Sequence, residues 1–134
     1  MDPNQLPFDA ETMLAGPRES VECESPTYDP AAVNRMMDIA GRALILAGAR
    51  IERIAGRMGF GDCVRATFPH ATPHVPGIPL MGHLDTVHPI GTLSKLPFRR
   101  EGNKAWGLGI LHMKGGDYLA LEAIRRLAHA GVAT

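Results

Sequence analysis

The chain has 134 residues, 45% of them apolar and 21% charged, and its 14 basic and 14 acidic side chains cancel to a formal net charge of +0. This is the balance of a globular domain long enough to bury a core, and it excludes the overall basic field that draws nucleic acid or an anionic membrane. The two cysteines, Cys23 and Cys63, form no CxxC pair and no zinc-finger spacing, and Met1 to Gln5 lack the basic and apolar regions of a signal peptide. A reducing compartment is the simpler assumption, and the expected location is cytoplasmic.

Residues 1 to about 29 are weakly patterned. Phe8, Met13, Leu14 and Val21 suit a short helix interrupted near Gly16-Pro17. Pro26 and the Asp29-Pro30 pair discourage helix, so Glu22 to Thr27 reads as a loop. A clear helix follows, with Asp29 as its cap and Pro30 in the first position, where no amide bond is lost. Val33, Met37, Ala40 and Leu44 recur at helical spacing with Met36 on the flank, and Gly48 is a natural stop. The methionines here read as core packing. The longest apolar run, Ala43 to Ala49, is far too short to span a bilayer.

Ala49 to Ile54 is a short candidate strand. Asp62 to Phe68 alternates, with Val64, Ala66 and Phe68 on one face, which predicts a strand buried on one side. Pro69 to Gly77 reads as a proline-rich loop, with His70 and His74 as solvated loop residues. Ile78 to Leu84 is an apolar run expected to be a buried strand, ending at Met81-Gly82-His83-Leu84-Asp85-Thr86-Val87. Residues two apart on a strand point the same way, so His83 and Asp85 would emerge together at its C-terminal end. In open α/β sheets that edge is where ligands bind. A hydrogen-bonded His/Asp pair on a partly exposed strand end would have the same spacing.

Pro97 to Arg100 and Lys104 to Trp106 are expected as two short extended pieces joined by a tight turn, with Arg99, Arg100 and Lys104 as a basic cluster that is either a solvated face or a feature favouring an acidic substrate. Gly107 to Gly116 is a glycine-punctuated loop that fails the dinucleotide-binding template, because its third glycine is at the wrong offset. The last helix is expected from about Gly115 to Ala130, with Ala120, Ile124, Leu127 and Gly131 on one stripe and Asp117 complementing the helix dipole. The fold class is therefore α/β.

His83 suits a borderline metal such as zinc, and Asp85 is placed to orient its ring. His112 is a second candidate from the glycine-rich loop. A catalytic metal needs about three protein ligands, and a complete set is not evident in the chain.

Gly82-His83-Leu84-Asp85-Thr86-Val87, then Gly91-Thr92-Leu93, Pro97-Phe98-Arg99, Gly107, Gly109 and Met113-Lys114-Gly115-Gly116 together resemble the glutamate carboxypeptidase and aminoacylase group of zinc metallopeptidases, metallopeptidase family twenty. Glu24-Ser25-Pro26-Thr27 and Asp29-Pro30 resemble the N-terminal region of that family. The resemblance implies an incomplete zinc-exopeptidase-like catalytic domain, a mixed sheet flanked by helices. Residues 1–134 would be its N-terminal portion, without the lid and dimerisation domain or the C-terminal part of the catalytic domain.

By the same resemblance, His83 is a ligand of one of two zinc ions and Asp85 is the catalytic residue that orients it. The residue before MKGG is normally an aspartate that bridges both metals; here it is His112. A carboxylate can clamp two metals about 3.5–4 Å apart, whereas the nitrogens of an imidazole diverge. None or one zinc is therefore expected here. The implied substrate is a small peptide or N-acyl amino acid, cleaved at the amide next to a residue such as glutamate. The glutamate general base of the family lies beyond the MKGG helix, so this chain alone is expected to be inactive. A non-catalytic binding or interaction remnant of the family is the alternative.

Overall fold

A computed structural model describes residues 8–70, 72 and 76–132. Two short helices come first: α1 (Ala10–Ala15), capped by the Asp9 side chain on the Glu11 amide, and α2 (Arg18–Glu22). They break at Gly16-Pro17, where the proline cannot donate a helical hydrogen bond. The longest helix is α3 (Pro30–Leu46). The Asp29 carboxylate accepts from the Ala32 amide at 2.9 Å and Pro30 occupies the first position, so the start is fixed by its own sequence. Gly48 closes the end at φ 95°, and its amide donates to the Ile45 carbonyl at 2.9 Å.

The buried stripe of α3 is Ala32, Val33, Met36 and Gly41. Met36 is thus the core methionine, while Met37 is half-buried on the expected stripe. Strands β1 (Arg50–Ile54) and β2 (Cys63–Thr67) pair antiparallel, with Ile51 opposite Ala66 and Arg53 opposite Val64. Val64 and Ala66 are the more buried residues of β2, as the alternation requires, and both strands pack on α3. Strands β3 (Arg99–Glu101) and β4 (Lys104–Trp106) form a second antiparallel hairpin, turned by Gly102 at φ 58°. The last helix is α4 (Gly115–His129).

The structure is therefore mixed helix and strand, as expected, but its described strands form two separate two-stranded ladders and not one mixed sheet. Ile78 to Leu84 is not a strand. Ile78, Leu80 and Met81 are exposed, and no described strand runs beside them. A strand requires a partner ladder along its length. The partner present here, the segment at Ser25 to Thr27, reaches only residues 84–86 through a parallel bridge between Pro26 and Thr86. His74 lies outside the described residues; His70 is exposed, and its Nδ1 accepts from the Thr72 amide. Both cysteines are free. No described helix is long and apolar enough to cross a membrane.

Candidate metal centre

The His83 segment is held by a clamp from the N-terminal region. The Thr86 amide donates to the Ser25 carbonyl at 2.8 Å, and the Thr27 amide donates to the Thr86 carbonyl at 3.0 Å. The buried Ser25 hydroxyl donates to the Leu84 carbonyl at 2.6 Å. Glu24 accepts from the amides of Gly91 and Leu93 at 2.9 and 2.8 Å, which together hold its carboxyl below the usual range. Every residue of Glu24-Ser25-Pro26-Thr27 thus bonds or bridges to residues 84–93.

The clamp carries through to the site. Thr27 Oγ1 donates to Asp85 Oδ2 at 2.6 Å. Asp85 Oδ1 lies 3.2 Å from His83 Nδ1, and the Asp85 carbonyl lies 3.1 Å from the same nitrogen. Both groups only accept, so Nδ1 of His83 must be the donor. In the neutral ring this leaves a lone pair on Nε2, which faces His112 Nδ1 at 3.2 Å. The structure therefore brings together the three residues singled out in the sequence, His83, Asp85 and His112, although no strand delivers the first two.

His112 is placed by the glycine-rich loop. Gly109 adopts φ 70°, and a Cβ there would lie 2.8 Å from Thr86 Cγ2. A side chain would be strained by the backbone and blocked by its neighbour. The loop thus crosses close over residue 86 and enters a wide turn, Ile110–Lys114, in which His112 is non-helical at φ −134° and ψ 84°. Lys114 anchors the far side of this turn. It is 1% exposed, and its Nζ donates to the carbonyls of Ser20 and Cys23 at 2.8 and 2.7 Å. Burial depresses its pKa from 10.5 to about 8, partly offset by the charges of Cys23, Asp85 and Glu24. Burial likewise pushes the Cys23 thiol up.

Asp117 has a role beyond the helix dipole. A Cβ on Gly82 would lie 1.9 Å from Asp117 Oδ1, so the glycine before His83 admits this carboxylate against the backbone. Its Oδ2 is buried with no hydrogen-bond partner among the described residues. Burial raises the Asp117 pKa, and the charge of His83 acts in the opposite direction. The available sequence signal was the glycine itself, a missing side chain beside a candidate ligand.

Other charged side chains of the chain are paired away from the three residues. Glu122 is buried on α4 and paired with Arg126 at 2.8 Å and Arg125 at 3.7 Å. Arg99 pairs with Glu101 and stacks over Trp106, and Arg100 pairs with Glu11. An open hollow of ≈ 410 Å³ between α3 and the β1–β2 hairpin shares no residue with the histidine pair.

The donors at the site can be matched against a metal centre. Among the described residues no group of three or more His, Cys, Asp or Glu is placed to hold a metal. The two facing imidazole nitrogens suit a borderline divalent ion such as zinc, but no carboxylate stands between two metal positions. A bridged pair of zinc ions therefore does not fit this arrangement.

Residues 80–134 match peptidase family M20/M25/M40. Carboxypeptidase G2 of Pseudomonas sp. (strain RS-16) is 49% identical over 53 residues, a match that covers 40% of this chain and 13% of the relative. The chain thus spans a small part of the length of that relative. The matched family range contains His83, Asp85, His112 and the Met113-Lys114-Gly115-Gly116 motif, while the clamp at residues 24–27 lies before it.

Proposed function

We propose that residues 1–134 form the N-terminal portion of a zinc-exopeptidase-like catalytic domain. It would belong to a carboxypeptidase-type hydrolase acting on the amide next to an amino acid such as glutamate, in a small peptide or an N-acyl amino acid. His83 is a metal ligand, Asp85 the catalytic-site carboxylate that orients it, and His112 a second ligand. A bound divalent ion would supply Lewis-acid polarisation of the scissile carbonyl. What carries this assignment is that the family match contains both histidines that face each other at 3.2 Å.

Residues 1–134 alone should not turn over substrate. Glu24 and Glu122 are engaged by backbone amides and by arginines, and Asp117 is packed against the backbone at Gly82. The test mixes the chain with the remaining catalytic segment of the Pseudomonas relative and zinc, and follows glutamate release from an N-acyl glutamate. Turnover that disappears in His83→Ala supports the hydrolase assignment. No turnover from two folded partners favours the second reading, a non-catalytic binding module, for which the exposed Ile78, Leu80, Met81, Val87 and Leu111 speak. Metal-dependent turnover by residues 1–134 alone would overturn the partial-site assignment.

A further inference from the structure

We infer that this site takes one divalent transition-metal ion, held between His83 Nε2 and His112 Nδ1, in place of a bridged pair. The inference rests on the ligand assignment above and not on hydrolysis. Two nitrogens bound to one tetrahedral zinc at about 2.0–2.1 Å stand about 3.3–3.4 Å apart. The two ring nitrogens are 3.2 Å apart, with ring planes tilted by 59° and centroids separated by 5.3 Å. The spacing is that of two corners of one coordination sphere, and the rings do not stack against each other.

Three features favour a cation between these atoms. Asp85 and its own carbonyl hold the His83 Nδ1 proton, so His83 presents a lone pair without rearrangement. The carboxylate of Asp117 lies against Gly82 with a buried oxygen that has no hydrogen-bond partner among the described residues, which adds negative potential beside His83. His83 and His112 are both exposed, which leaves the ion's remaining positions open to water. Without metal, and with the His83 ring neutral, His112 donates its Nδ1 proton to His83 Nε2. With metal, that proton leaves Nδ1 through solvent and His112 carries its proton on Nε2. The ring stays neutral, so the exchange releases no net proton.

The test titrates the 134-residue chain with zinc chloride by calorimetry and with cobalt(II) chloride by visible absorption. One equivalent should bind. His83→Ala and His112→Ala should each weaken affinity about tenfold or more, the smallest effect expected when even an orienting partner of a metal is lost, and His70→Ala should leave it unchanged. Far-UV circular dichroism checks that the variants keep their helices. A second measurement needs no variant: nitrogen-15 shifts of the wild-type imidazoles should show His112 changing from the Nδ1–H to the Nε2–H tautomer on adding zinc, with His83 staying Nδ1–H. Two equivalents removed together by one substitution, no uptake at all, or unchanged affinity in folded His112→Ala would each overturn the inference. Failed hydrolysis in the reconstitution experiment would leave these readouts untouched.

Discussion

Lys114→Met separates the charge of the buried anchor from its bulk. The thioether side chain fills much of the same space but cannot reach the carbonyls of Ser20 and Cys23, which Nζ binds at 2.8 and 2.7 Å. Hydrogen bonds to a charged group contribute about 1.5–3 kcal/mol each. Opposing them is the burial that lowers the lysine pKa from 10.5 to about 8, a penalty on the order of 3 kcal/mol at about 1.4 kcal/mol per unit. The expected net loss at pH 7 is therefore small, about 1–2 kcal/mol.

The pH dependence is more diagnostic than that loss. The folded-state pKa lies below the unfolded one, so the folded chain releases its proton first. Stability of the wild type should rise with pH between about 8 and 10.5, because there the unfolded chain binds more protons. The methionine variant lacks this rise, so its deficit should grow by about 2 kcal/mol from pH 7 to pH 10. Urea unfolding followed by far-UV circular dichroism at both pH values measures the gap. Making both proteins in a Cys23→Ser background removes the thiol that titrates beside Nζ. A gap that stays constant or shrinks as pH rises would refute the assignment of a buried ammonium.

Two further substitutions probe how the site is held. Thr27→Val deletes the hydroxyl that donates to Asp85 Oδ2 and should reduce stability by about 1.5–3 kcal/mol. It should also lower the Nδ1–H population of His83 in nitrogen-15 spectra, with Thr27→Ser restoring it; an unchanged tautomer would show that Asp85 needs no such support. Gly82→Ala places a methyl 1.9 Å from Asp117 Oδ1 and should destabilise by about 1–3 kcal/mol. Chemical denaturation should find most of that loss recovered in the double variant with Asp117→Ala, and no recovery would mean the clash lies elsewhere.

Local signals in the sequence located the elements well. Asp29-Pro30 marks the start of α3 because both effects act within one turn of the chain. The alternation of β2 marks its half-buried face because Val64 and Ala66 turn toward the neighbouring helix while Cys63, Arg65 and Thr67 stay exposed. Ile78 to Leu84 failed because apolar composition records a preference for burial but not the presence of a partner. At the site, strand alternation was the stated reason for pairing His83 with Asp85, yet the two meet without a strand, through Nδ1 of His83 and the Asp85 carboxylate, and the contact of His83 with His112 spans 29 residues of separation. Glu24 to Thr27 was visible only as a resemblance, since the hydrogen bonds that give it purpose lie on residues 84–93. Glu122 was not marked by any pattern: its burial follows from the two arginines on the same helix, which neutralise it.

The clamp also bears on the order in which the chain folds. Its hydrogen bonds join residues 58 to 69 positions apart, whereas α3 and the β1–β2 hairpin are built from near neighbours. Closing a long loop loses more chain entropy than closing a short one, and non-local pairings form more slowly than local ones. The helix and hairpin lie within the loop that the clamp closes, so they can form before it does. A chain that already has them still lacks the fixed imidazole of His83, whose orientation comes from Asp85 and, through it, from Thr27.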